Sequence, residues 1–242
     1  MEHSQTQRIV WITGASSGIG FALAERFASG GDVVVASSRS KQKLNALQNM
    51  IQSRQQQCEI LTCDVQLEES VGTASREILE KYSSIDVLIN NAGVTYFKNF
   101  ASTTIQEFDH IINTNLRGSF LTTQSVLPSM LQQKQGLIIN ILSYVTKTTY
   151  TQSSVYSASK AGAEALMNGL RAEVRKEGIR IVNIYPGATA TPIWRQSYRE
   201  QHEAEMMQAA DVADIVFDLS MQPRTLMPEE LVLRPQIGDL NV

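Results

Sequence analysis

A short apolar run over residues 9–12 leads into Thr13-Gly14-Ala15-Ser16-Ser17-Gly18-Ile19-Gly20, and a helical pattern over residues 21–27 follows at once. Strand, glycine turn and helix start in that order form an anion site: the glycines let the main chain approach a ligand, and the unpaired N–H groups of the helix start face a pyrophosphate. The gap between the first two glycines of this turn is two residues longer than in the G-x-G-x-x-G form.

The rest of the chain repeats that rhythm. Short β-branched runs at residues 33–36, 59–63, 87–90, 137–141, 180–184 and 231–233 predict further strands, and helical patterns fall at 41–54, 67–82, 105–133, 154–177 and 212–221. Alternation of this kind predicts an α/β fold of the Rossmann type, a doubly wound parallel sheet with helices on both faces. No linker, repeat or low-complexity segment interrupts it, so residues 1–242 are expected to form a single domain.

Composition narrows the function classes. Hydrophobic residues make up 43% of the chain, enough for a sheet covered on both sides, and the net charge of -3 leaves no basic footprint for nucleic acid or anionic lipid. No apolar stretch approaches a membrane span, and the polar residues 1–7 lack the apolar core of a signal peptide, so a cytoplasmic protein is expected. Cys58 and Cys63 are too few for a disulfide framework and are expected to be buried thiols. His3, His110 and His202 are scattered without ligand spacing, so no metal site is expected.

Tyr156 and Lys160 stand four positions apart on a predicted helix, with Ser143 upstream. Side chains at i and i+4 share a helix face. A lysine charge about 4 Å away, at an effective dielectric of about 20, contributes roughly 4 kcal/mol. Before screening and desolvation take their share, that would lower a phenol pKa by as much as about 3 units, toward the range where it exchanges a proton with an alcohol or carbonyl oxygen near neutral pH.

Taken in order, Thr13 to Gly20, Asp64-Val65, Asn90-Asn91-Ala92-Gly93, Asn115, Ser143, Tyr156 with Lys160, and Pro186-Gly187 with Thr191 resemble the landmarks of the short-chain dehydrogenase/reductase family, in its compact branch of roughly 250 residues. The resemblance implies a catalytic set of Asn115, Ser143, Tyr156 and Lys160. In that set Ser143 bonds the substrate oxygen, Tyr156 donates or accepts the proton, Lys160 tunes the tyrosine and binds the nicotinamide ribose, and Asn115 distorts its helix to order a water path. It also implies cofactor contacts from Gly14, Ser16, Ser17, Gly18, Ile19 and Gly20 in the first turn. Asp64 and Val65 would lie by the adenine, Asn91, Ala92 and Gly93 after the fourth strand, and Pro186, Gly187, Thr189 and Thr191 by the nicotinamide. Asn90 also suits a structural brace between strands.

The loop after the second predicted strand bears on which cofactor binds. NAD enzymes place an acid there for the ribose 2′-hydroxyl, whereas a 2′-phosphate needs a cation. Here the strand ends at Ser37-Ser38-Arg39 with Lys41 and Lys43 close by, and Asp32 lies at the wrong end. NADP(H) held by Ser38 and Arg39 is therefore expected ahead of NAD(H); the alternative for Arg39 is a solvated charge.

Two departures from the family pattern bear on the substrate. Leu142 precedes Ser143 where many relatives carry serine, and Tyr144-Val145-Thr146 replaces a smaller turn. Tyr96, Phe97, Tyr144, Tyr150 and Trp194 are the candidates for a substrate-facing wall. The expected activity is an NADP(H)-preferring oxidoreductase acting on a small-molecule carbonyl or secondary alcohol. A reductase of carrier-bound 3-oxoacyl chains and a non-catalytic NADP-binding regulator are the alternatives. Small residues at Ala158, Ala161, Gly162, Ala165, Gly169 and Ala172 on the Tyr156 helix predict a homodimer or homotetramer.

Overall fold

In the computed structural model, which describes residues 7–240, seven strands form one parallel sheet in the order β3-β2-β1-β4-β5-β6-β7. The strands are β1 (Ile9–Thr13), β2 (Val33–Ser38), β3 (Cys58–Thr62), β4 (Val87–Asn90), β5 (Gly136–Ile141), β6 (Ile179–Pro186) and β7 (Glu230–Leu233). All seven coincide with the apolar runs read from the sequence. His3 and residues 1–6 of the polar N-terminal stretch lie outside the described residues.

Strand residues alternate between two packed layers, as a parallel sheet covered on both faces requires. Val10, Ile12, Val34, Ala36 and Ile89 pack with α1 (Gly18–Ser29), α2 (Lys41–Ser53) and α8 (Ala209–Ser220) on one side. Trp11, Val35, Leu88, Ile138 and Ile181 pack on the other with α3 (Glu68–Tyr82), α5 (Gly118–Gln133) and α6 (Ser154–Val174). The strand order reverses between β1 and β4, and such a reversal opens a crevice at the carboxyl ends of the strands.

Three features depart from the sequence reading. The helix expected over residues 105–133 is broken: α4 (Ile105–Ile112) gives way to a π-helical segment, Asn113–Arg117, before α5 begins. Apolar periodicity runs through this break, so it is invisible to pattern alone. The helix from residue 154 ends in a 3-10 turn, Arg175–Glu177, closed by Gly178 at φ 77°. A further short helix, α7 (Gln196–His202), occupies a segment read as irregular.

Candidate active site

The crevice is floored by the glycine turn. Gly14 sits at φ +66°, and a Cβ there would lie 2.7 Å from Ala92 Cα; on Gly20 a Cβ would collide with Asn91 Nδ2 and come within 2.6 Å of the Gly14 carbonyl. The turn after β4 is thus pressed against the turn after β1. Thr13, a residue the sequence reading left without a role, locks the two together: its Oγ1 accepts from the main-chain N–H groups of Asn91 and Ala92, each at 3.1 Å. Asn91 Nδ2 donates to the carbonyls of Thr13 (2.9 Å) and Gly14 (3.2 Å). Asn91 therefore shapes the turn with its side chain.

Ser17 caps α1 without a side-chain cap bond, so the first-turn N–H groups and the half-buried Ser16, Ser17, Gly18 and Ile19 border the crevice with their donors free. This is a cradle whose missing side chains suit a pyrophosphate. Among the described residues, no group of three or more His, Cys, Asp and Glu side chains is arranged to hold a metal ion.

At the end of β2, Ser38 is buried and its Oγ accepts from Ser40 N at 3.2 Å, while Ser40 caps α2. Arg39 projects between them, exposed, at the start of that helix. Asp32, at the opposite end of the strand, is held by Arg8 at 2.8 and 2.7 Å. Asp64 accepts from Gln66 N, closing its own turn. Val65 is buried, with its side chain packed on Gly118, which leaves its main chain as the part able to meet a cofactor.

Tyr156 and Lys160 lie on the first turns of α6, both buried, with Lys160 Nζ 6.0 Å from the Tyr156 ring centre. Ser143, at the end of β5, stands beside the phenol. The depressed tyrosine pKa expected from the Tyr-Lys spacing is not found. Burial pushes the phenol up to about 12 despite the opposing Ser143 hydrogen bond, and burial pulls Lys160 down to about 8. The physical reason is desolvation: both groups are enclosed, and the ammonium donates to the Ile141 carbonyl at 2.7 Å.

Asn115 sits in the π-helical segment. Its Oδ1 accepts from Val94 N (2.8 Å), and its Nδ2 donates to Val94 O and Ser159 Oγ (2.9 Å each). Holding both main-chain groups of Val94 anchors the segment after β4. The widened turn there is a form of distortion frequent at functional sites. Gly93 backs onto both Lys160 Nζ and Asn115 Oδ1. Asn90, by contrast, is a brace: its amide donates to Asn140 (3.0 Å) and Thr123 (2.9 Å), and Asn140 continues to Asn183 (2.9 Å).

Past β6, Gly187 N donates to Leu233 O at 2.7 Å, and Thr189 and Thr191 are buried, with Thr191 packed against Gly18. Trp194 stacks on Phe97 at 5.0 Å and on Tyr198 at 5.3 Å. Tyr144 and Tyr150 lie instead beneath the C-terminal segment, with Arg234 over the Tyr144 ring at 4.5 Å, and Tyr96 is exposed beside His110. Tyr198 escaped the sequence reading, although Trp194, Tyr198 and His202 recur at helical spacing.

Residues 8–202 match the sequence model of the family described as short chain dehydrogenase. A sepiapterin reductase of Chlorobaculum tepidum is 34% identical over 242 residues, covering 97% of this chain and 99% of its own. An uncharacterized oxidoreductase of Staphylococcus saprophyticus is 32% identical over 229 residues, 94% of this chain and 97% of that one. Among solved structures, an alcohol dehydrogenase from the archaeon Thermococcus sibiricus, complexed with 5-hydroxy-NADP, superposes with a TM-score of 0.89 at 27% identity, covering 98% of this chain and 100% of its own. A metagenomic short-chain oxidoreductase in complex with NADP gives 0.85 at 29% identity, covering 97% and 99%.

Proposed function

We propose, from the premise that this chain belongs to the short-chain dehydrogenase family and is an NAD(P)-dependent oxidoreductase, that it reduces a carbonyl on a small aromatic-bearing molecule with NADP(H) as its preferred cofactor. The observation that carries this reading is the pairing of half-buried Ser143 with buried Tyr156 and Lys160 near the glycine cradle. When bound, the nicotinamide supplies the hydride. Ser143 holds the substrate oxygen, and Tyr156, hydrogen-bonded to Ser143, donates the proton to that oxygen. Lys160 and Asn115, both against Gly93, hold the proton path behind the tyrosine.

The cradle, Arg39 and the threonines after β6 fit the cofactor's pyrophosphate, 2′-phosphate and carboxamide respectively. NADP complexes among the structural relatives support the same preference. The stacked wall of Phe97, Trp194 and Tyr198 favours a planar ring over a flexible acyl chain, which argues against carrier-bound 3-oxoacyl substrates.

A screen of aromatic ketones and diketones, sepiapterin, steroids, sugars, aldehydes and acyl thioesters, followed by NADPH oxidation, tests the reading. Turnover is expected to concentrate in the aromatic carbonyls. Turnover confined to acyl thioesters would overturn the substrate class, and none with any carbonyl would overturn the activity.

Association is part of the same proposal. Ala158, Ala161, Ala165, Gly169 and Ala172 lie exposed along α6, and Phe108 and Phe120 are exposed on the neighbouring α4 and α5. Such a face suits close helix approach about a two-fold axis in a homodimer or homotetramer. Light scattering is expected to give at least twice the chain mass, and a mass near 26.8 kDa would refute it.

A further inference from the structure

A second cavity, of about 300 Å³, opens at the amino-terminal ends of β4, β5 and β6. In a parallel sheet that edge is opposite the one bearing the glycine turn and Tyr156. Six cationic side chains line it: Arg8, Lys134, Arg171, Arg175, Arg180 and Arg224. Only two carboxylates, Asp86 and Glu229, share the wall. The chain as a whole carries -3, so this concentration of positive charge is local.

Part of that charge is already matched. Arg8 grips Asp32, and Arg171 and Arg175 share Glu229. Asp86 accepts from the main-chain N–H of Ile9 at 2.8 Å. Arg180, Arg224 and Lys134 form no ion pair among the described residues. Arg180 is half-buried and donates to the Gln222 carbonyl at 3.1 Å. Burial, and then the charges of Arg224 and Arg8, hold its guanidinium below the ordinary value. A partly desolvated cation facing two others is in an unfavourable position that a bound anion would relieve.

We propose that this cavity binds a compact polyanion bearing phosphoryl groups, gripped by Arg180 and Arg224 with Lys134 at its exposed side. The planar guanidinium fork pairs with phosphoryl oxygens two at a time. The volume stands at the small end of ligand sites, enough for a triphosphate chain or a small polyphosphorylated metabolite. This site is separate from the cofactor crevice, so the protein can hold both ligands together.

Calorimetric titration of tripolyphosphate into protein saturated with NADP+, which closes the glycine cradle to competing phosphates, tests the site. One saturable event is expected, weakening as salt is raised. Arg180→Gln, which keeps a donor for Gln222, and Arg224→Gln, an exposed position, should each weaken it by about tenfold or more while NADP+ affinity is unchanged. ATP in place of tripolyphosphate separates the sources: equal affinity means the phosphate chain alone is recognised, tighter binding means that a nucleoside is also held, and either upholds the site. Absence of saturable binding, or both variants binding like the unmutated protein, would overturn it. Should NADP+ itself fail to bind, the proposed function falls, whereas a tripolyphosphate isotherm sensitive to Arg180→Gln would still uphold this second site.

Discussion

Replacing Tyr156 with Phe is expected to lower turnover by about 10² to 10⁴-fold while leaving NADP(H) affinity unchanged. The side chain is buried, and phenylalanine preserves its packing while removing the only proton that this position can transfer. Burial raises the phenol to about 12, above the ordinary tyrosine value. Lys160, buried with its charge directed at the Ile141 carbonyl, is the nearest source of the positive field that would reverse this. Single-turnover measurement with a confirmed substrate checks the prediction, and retention of most activity by Tyr156→Phe would mean that the proton comes from another group.

The fold was legible because each strand carries its own apolar run between turn signals, and the alternation of elements admits one sheet architecture. The lining of the crevice was legible for a related reason: Gly14 and Gly20 stand where any side chain would strike Ala92, Asn91 or the turn itself. Less could be read wherever a tertiary bond overrides local preference. Asn115 sits inside a run whose periodicity predicts an unbroken helix, and only its grip on both main-chain groups of Val94 accompanies the π-helical turn. The lowered Tyr156 pKa does not hold because spacing reports proximity but not the size of desolvation, the larger effect once both groups are buried. The basic cavity at the far edge of the sheet draws Arg8, Arg180 and Arg224 from distant parts of the chain, and no linear pattern announces it.

Arg39→Asp should reverse the cofactor preference, moving the ratio of NADP(H) to NAD(H) affinities by about a hundredfold or more. A charge-assisted bond contributes about 1.5 to 3 kcal/mol, and each 1.4 kcal/mol is about tenfold in affinity. The unmutated protein should therefore bind NADP(H) at least about tenfold tighter. The substitution acts twice: it removes the cation facing the 2′-phosphate, and it sets there a carboxylate that repels phosphate and accepts from a ribose hydroxyl. The position tolerates the change because Arg39 is exposed and Asp32 is already engaged by Arg8, so neither the fold nor an existing pair depends on it. Ser38, buried and bonded to Ser40 N, keeps the end of the strand in place. Lys41 and Lys43 on the first turn of α2 remain in the variant and should leave some residual NADP(H) binding. Dissociation constants of both cofactors, measured by fluorescence titration for the two proteins, decide the matter. Equal constants in the unmutated protein would show that Arg39 is a solvated charge with no part in cofactor choice.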